Sequence, residues 1–440
     1  MKVPAEWRVY ILGAILCVAL TICSRNFGDR GGPYFMVSLT LAAVVYLLSI
    51  REFFAMARFP RRLVVLGLVL AAVWHVEFLR LPPGTDDDIH RYVWDGRLQR
   101  LGFNPYIVVP SDPAVRKLHT PETRNLNNPD LPSPYPAGAQ LFVRAVTAIQ
   151  ESTFALKLAF VICDFGISFL LLDLLPTSGR GAHWVLAYAW NPLLATEVAG
   201  SGHIDVVGAL LLVISVAALA RRWRPIAAIA LGLAIAVKFL PVVLLPLYWK
   251  RVRIRDAVLA AAIVGLLYVP FLNHGRIPIG SLGMYVQNFR FNGPVFATLA
   301  QVAPPQLLAG LAVLIGLVTA LWLRSTASAW SPDVFAWPMA ASLLCAPVVF
   351  PWYLLWLLPF LTSASTLLIT VWSVSIITTY VQWHLSTRGH PWGALPGWVM
   401  MLEYGCVAIA AAIVAFRRIS RRRTLSGPVE PIQPRTTHNL

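Results

Sequence analysis

Asp86, Asp87 and Asp88 stand side by side in "GTDDDIHRYVWDGRLQRLGFNPY" (84–106), directly after a long apolar run. A carboxylate within hydrogen-bond reach of a hydroxyl can take its proton. Crowding several carboxylates together raises the proton affinity of one of them towards neutrality. The residue types therefore suit a general base acting on a hydroxyl nucleophile. They also suit oxygen ligation of a divalent cation (Mg or Mn), with Asp86 and Asp88 as ligands. A plainer role exists: an acidic helix start plus the Arg91–Asp95 pair, together worth about 1–2 kcal/mol. That role explains one or two aspartates, not three in a row beside hydrocarbon.

If a helix begins near Asp88, helical spacing puts Asp88, Tyr92, Asp95 and Gln99 on one face. A second set lies in "WNPLLATEVAGSGHIDVVGA" (190–209), where Glu197, His203 and Asp205 flank a short turn between apolar segments. Ionisable groups near membrane depth are costly, so they point to function. For Asp205 the competing role is helix capping after Gly202. Lys238 interrupts "LGLAIAVKFLPVVLLP" and suits either a phosphate contact or simple snorkelling to the surface. In "NHGRIPIGSLGMYVQNFRFNG" (273–293), Arg276 and Arg290 are further phosphate candidates, and Asn292 is a candidate sugar donor. Arg388 and His390 are weaker ones. Trp352, Tyr353, Trp356, Trp383 and Trp392 fit an aromatic belt, and Trp352 or Tyr353 could also stack on a sugar.

Composition says what must position these residues. The 440 residues are 58% hydrophobic and 13% charged, with a mean hydropathy of +0.66. A soluble domain would carry about twice that charged fraction. The apolar runs, roughly 17 to 22 residues long, match a helix crossing a ~30 Å hydrocarbon layer. The chain reads as an all-α polytopic membrane protein. Candidate spans are 9–24, 34–50, 63–80, 153–175, 183–200, 204–220, 226–238, 239–249, 257–272, 304–324, 334–350, 352–363, 366–382 and 398–416. Several are short and broken by proline, which is tolerated where protein or a wet cavity satisfies the freed backbone.

The net charge of +16 does not point to nucleic acid, because the cations cluster beside spans. "RFPRR" (58–62), "RRWR" (221–224), "KRVRIR" (250–255) and "RRISRRR" (417–423) all fall on one side when the spans alternate. The positive-inside rule makes that side cytoplasmic, with both termini there, in a plasma (inner) membrane. Loops 81–152, 273–303 and 383–397 then face outward, together with the turn at 200–204 and the region of Lys238. Within loop 81–152, residues 88–101 and 138–150 read as helices, the second amphipathic, separated by "GFNPY" and a Pro/Asn-rich stretch. Residues 1–423 form one expected domain, and 424–440 an expected disordered cytoplasmic tail. The cysteines lie in apolar stretches without metal-ligand spacing. The first run, Val9 to Cys23, reads as a retained anchor. A nucleotide-binding glycine loop is not evident, so a sugar or phosphate donor would come attached to lipid.

Here the chain resembles the GT-C integral-membrane glycosyltransferases that use polyprenyl-phosphate sugars, in particular the bacterial mannosyltransferase-like group related to PIG-M-type enzymes. The matching stretches are "DDIHRYVWDGRLQRLGFNPY", "YPAGAQLF" (135–142), "WNPLLATEVAGSGHIDVVGALLL" (190–212), "AIAVKFLPVVLLP" (234–246) and "PWYLLWLLP" (351–359), in the family's order. The resemblance implies a GT-C-type bundle of about 12–14 transmembrane helices with amphipathic helices in the first outer loop. It implies inverting transfer of a hexose, above all mannose, from the lipid phosphate to a lipid-linked or cell-envelope glycan. An aspartate of the first outer loop would be the base, a role falling on Asp87 or Asp88, with Asp87 favoured. Arg91, Lys238 or Arg290 would stabilise the leaving phosphate. Asn104, Tyr106 and Tyr135, which lie in the matching stretches, join Tyr92, Asp95, Glu197, His203, Asp205, Asn292, Trp352 and Tyr353 as substrate-binding candidates. Metal dependence varies in the family and stays open. His90 stands where tyrosine is commoner, and the additional Asp86 blurs which pair is equivalent. The rival readings are a flippase for lipid-linked sugars, which needs ion-coupling groups at the midplane, and a polysaccharide polymerase or ligase, which would be expected to carry paired arginines in its outer loops.

Overall fold

A computed structural model describes residues 4–56, 60–84, 87–124, 126–273, 278–326, 331–393 and 395–425, with side chains to 416. Asp86, Arg276 and the tail from 426 lie outside the described residues. The described residues are mainly helical with no strand, and an isolated β-bridge joins Phe291 to Val348.

Eight of the fourteen expected spans are single helices long and apolar enough to cross a membrane: Ala5–Arg25 (α1), Pro33–Ala55 (α2), Arg61–Leu79 (α3), Thr153–Thr177, Ile254–Phe271, Pro305–Thr326, Ala364–Ser386 and Gly397–Phe416. The expectation of an all-α polytopic membrane protein is met. The other six segments are short or broken. Residues 183–200 become a brief helix followed by a π-helical turn, Leu194–Ser201, and 352–363 become 3-10 turns, Pro351–Trp356 and Leu358–Phe360. Proline explains much of this, since each one removes an N–H donor from the ladder.

In the long segment between α3 and the Thr153–Thr177 helix, α4 (Ile89–Arg100) and α5 (Ala137–Ile149) form where the sequence placed helices. They pack on each other and on α6 (Thr153–Thr177), whose first turn is capped by Ser152 accepting from the Ala155 amide. The pairing α8 (Asp205–Ala220) with α9 (Arg224–Val237) follows through the "RRWR" turn. Buried residues on α1, α2, α3, α6 and α8 share one core with the turns 194–201 and 351–360. By contrast, Ile254–Phe271 and Gly397–Phe416 leave most of their surface outside the protein, as lipid-facing helices would.

Two sets of contacts define opposite ends of the bundle. At one end Arg8 pairs with Glu52 at 2.7 Å and Arg62 with Glu6 at 2.6 Å. At the other, Ser24 donates to Glu77 at 2.5 Å and Arg30 pairs with Asp87 at 2.7 Å. The acidic segment therefore lies at the end away from the residue 61–62 cations, as the alternation of spans requires.

Candidate functional site

The site is assembled from α4, the 194–205 turn, Lys238 and the 351–356 turn. Its shape depends on how the chain reverses after Glu197. The π-helical turn Leu194–Ser201 ends at Gly202, whose φ of +80° suits a residue without a β-carbon. A β-carbon there would also press on Ile89 and Lys157. The amides of Gly202 and His203 both donate to the Glu197 carbonyl, at 3.1 and 2.9 Å. This sharp stop turns His203 back onto Glu197, with its Nε2 at 3.0 Å from Oε2. Widened π turns of this kind often mark functional positions.

His203 is fully buried and stacks on Trp352, with ring centres 3.9 Å apart and planes 8° from parallel. Its Nδ1 lies 3.8 Å from Asp88 Oδ2. Asp88 Oδ1 accepts from the Asn127 amide group at 2.7 Å, and the side chain keeps 20% of its surface open. One Asp88 oxygen is therefore held while the other faces the histidine.

Asp87 is placed differently. It is buried, its Oδ1 receives Arg30 at 2.7 Å, and its Oδ2 receives the Gly84 amide at 2.6 Å. Arg30 also donates to Ser201 at 2.7 Å and lies over the Phe27 and Trp383 rings. Lys157, held by the carbonyls of Phe78 and Leu81, adds a second buried cation near Asp87. The pair Asp87–Arg30 thus ties the outer segment to the α1–α2 connection.

On the other side, Asp205 opens α8 fully buried. Its Oδ1 accepts from Lys238 Nζ at 2.6 Å and from Trp356 Nε1 at 2.8 Å, while Oδ2 has no hydrogen-bond partner. The Trp356 contact requires Gly208, because a β-carbon there would overlap the indole. Lys238 keeps 22% of its side-chain surface and sits 3.8 Å above the Tyr353 ring. The Tyr353 hydroxyl meets that of Tyr285 at 2.9 Å. Tyr92 and Tyr285 both lie in the field of Asp88 and of Asp205. Burial first, and then these two carboxylates, push both phenols above their ordinary range. Burial and Asp88 do the same to Tyr135. The two acids therefore act on the same tyrosines, Tyr92 and Tyr285.

Several expected substrate contacts turn out to hold the scaffold. Arg91 is buried, with its guanidinium on the carbonyls of Asn128 and Leu131 and its Nε 3.3 Å from Asp95. Asp95 accepts from Ser133 at 2.5 Å and from Gln140 at 2.9 Å, joining α4 to α5. Burial, only partly offset by Arg91, raises its carboxyl above the usual range. Asn104 bonds the Phe271 carbonyl at 2.8 Å, and Tyr106 donates to the Tyr135 carbonyl at 2.7 Å. Arg290 closes its own helix end through the carbonyls of Val286, Gln287 and Phe289. Asn292 donates to Glu403 at 2.9 Å. Sequence reading missed Arg30, Ser201, Lys157, Asn127 and Tyr285. Of these, only Arg30 and Lys157 carried a signal, as lone cations beside apolar spans.

Among the described residues, no three of His, Cys, Asp and Glu gather as a metal cage. Asp87 has both oxygens engaged, and Asp88, with Oδ1 on Asn127, also interacts with the Tyr135 hydroxyl.

The family described as alpha-(1->6)-mannopyranosyltransferase, N-terminal domain, matches residues 24–252, more than half of the chain. The match takes in Arg30, Asp88, Glu197, His203, Asp205 and Lys238 and ends before the 351–356 turn. No curated protein and no solved structure matches. With that match over a bundle of membrane-spanning helices, the chain belongs to the alpha-(1->6)-mannopyranosyltransferase family, and its chemistry is mannosyl transfer.

Proposed function

We propose that the protein transfers mannose from a polyprenyl-phosphate donor to a lipid-linked or cell-envelope glycan at the extracytoplasmic face, with inversion and with Asp88 as base. The observation that carries this is the unequal placement of neighbouring aspartates. Asp87 has both oxygens engaged, by Arg30 and the Gly84 amide, whereas Asp88 is part-exposed and turns Oδ2 towards His203. An acceptor hydroxyl gives its proton to Asp88 Oδ2 as its oxygen bonds to the sugar C1. The C1–phosphate bond breaks, and the lipid monophosphate leaves with the electron pair.

Lys238 is the partly open cation on the Asp205 side, and it suits the leaving phosphate. Arg91 and Arg290 suit that role less, since backbone carbonyls occupy their guanidinium groups. Trp352 is stacked between His203 and Phe350, so it holds the imidazole in place and leaves no free face for a sugar ring. The basic clusters at the opposite end favour an outward-facing site under the positive-inside rule.

The test uses purified protein, radiolabelled polyprenyl-phosphate mannose and a membrane-lipid extract as acceptor. Wild type is expected to label the extract and Asp88→Asn to fail. Full transfer by Asp88→Asn would remove the base assignment. Movement of labelled lipid between leaflets without consumption of donor would favour a flippase.

A further inference from the structure

The outer loop carries a cationic cavity that the transfer chemistry does not use. It is an open cleft of about 750 Å³ that carries Arg116, Lys117 and Arg124, with His119, Leu126 and three prolines among its other walls. Arg116, Lys117 and Arg124 are exposed. Asp112, the one acid among the lining residues, accepts from the Ala114 amide on Oδ1 at 2.8 Å and offsets one of the three cations. Three cations facing one concavity repel each other, an arrangement that an anionic ligand relieves.

The cavity is built on a fixed frame. Val115 and Leu126 pack with Trp94 and Leu98 of α4 in a small separate core. His119 stacks on Trp94 at 4.0 Å and meets the carbonyls of Thr123 and Pro110 at 3.0 and 2.9 Å. The cations on this loop are therefore presented by packed backbone rather than by a loose strand. The wall also touches the site: Leu126 lines the cavity, and the next residue, Asn127, holds Asp88 Oδ1.

We infer that this cavity binds the phosphate of an anionic lipid headgroup and so holds the acceptor beside Asp88. A bare phosphate would leave much of this volume empty. The space suits a phosphodiester bearing a sugar or polyol, and sites for such small groups run to about 300–1,000 Å³. The inference deepens the transferase reading and rests on it for what the bound lipid is for, but the binding itself is measured without transfer.

The experiment uses the full chain in nanodiscs of phosphatidylcholine and follows binding of a fluorescent phosphatidylglycerol, with fluorescent phosphatidylcholine as reference. Inorganic phosphate is titrated as competitor. Wild type is expected to prefer phosphatidylglycerol. The triple variant Arg116→Gln, Lys117→Gln, Arg124→Gln should weaken that binding roughly ten- to hundredfold, as losing three surface cations implies. Arg144→Gln removes an exposed cation of the neighbouring α5 and should leave binding unchanged. Competition by millimolar phosphate with no lipid preference would assign the site to free phosphate instead of a headgroup. Equal binding of both lipids without such competition, or equal loss in Arg144→Gln, would overturn the site. Asp88→Asn should still bind phosphatidylglycerol normally. Lipid binding without any mannosyl transfer by wild type would remove the transferase reading and leave the cavity assignment standing.

Discussion

Arg30 Nη1 lies 2.7 Å from Asp87 Oδ1, with both side chains almost wholly buried. The relationship spans 57 positions of sequence and fixes the acidic segment against the α1–α2 connection. It also makes Asp87 a structural anion. Removing one partner of a buried pair leaves an uncompensated charge, at a cost of about 3–5 kcal/mol. Arg30→Met is therefore expected to lower stability sharply, and Arg30→Met combined with Asp87→Asn to recover most of the loss. Denaturation in detergent micelles measures both, and no recovery in the double variant would contradict the pairing.

Asp88→Asn should separate chemistry from folding. Its Oδ1 bond to Asn127 can be kept by the amide oxygen, so the melting temperature should stay within a few degrees. Loss of a general base costs roughly 10²- to 10⁴-fold in rate. A kcat/KM within tenfold of wild type would show that another group takes the proton.

Glu197 and His203 should behave as one unit. The 3.0 Å contact and the Trp352 stack fix the imidazole, so Glu197→Gln and His203→Ala are each expected to reduce transfer. Residues in direct contact typically couple by about 0.5–3 kcal/mol in a double-mutant cycle. Additive losses in kcat/KM would mean that the histidine is positioned without Glu197.

Lys238→Met is expected to affect donor use as well as stability. Asp205 loses a charged partner and keeps only Trp356, while the site loses its partly open cation. Lys238→Arg retains the charge and should restore part of the activity. A donor KM and kcat unchanged in Lys238→Met would exclude a phosphate contact.

The pH dependence of stability should carry a contribution from Asp95. Burial holds its carboxyl above the ordinary value, so the folded protein keeps this proton to higher pH than the unfolded chain does. Such a group favours the fold below its unfolded value of about 4. That contribution is lost as pH rises from there through the raised folded value. Asp95→Asn should therefore flatten the fall of melting temperature across that window. An unchanged slope would mean that other carboxyls set it.

The amphipathic helix Ala137–Ile149 and the eight long spans follow from periodicity and length, local properties of the chain. So did the candidate segments themselves: Asp88, His203, Asp205 and Lys238 were legible because a polar group beside hydrocarbon is costly wherever it lies. Their roles were not legible. Asp87 and Asp88 are adjacent and identical in type, and only the distant Arg30 on one and the partial exposure of the other beside His203 set them apart. Arg91, Arg290 and Asn292 looked free in sequence, yet backbone carbonyls and Glu403 take up their donors. Sequence alone determined which groups cannot be left in lipid. Tertiary structure decided which of them are neutralised by a partner and which remain open, because pairing depends on distance across helices and spacing along the chain does not report it.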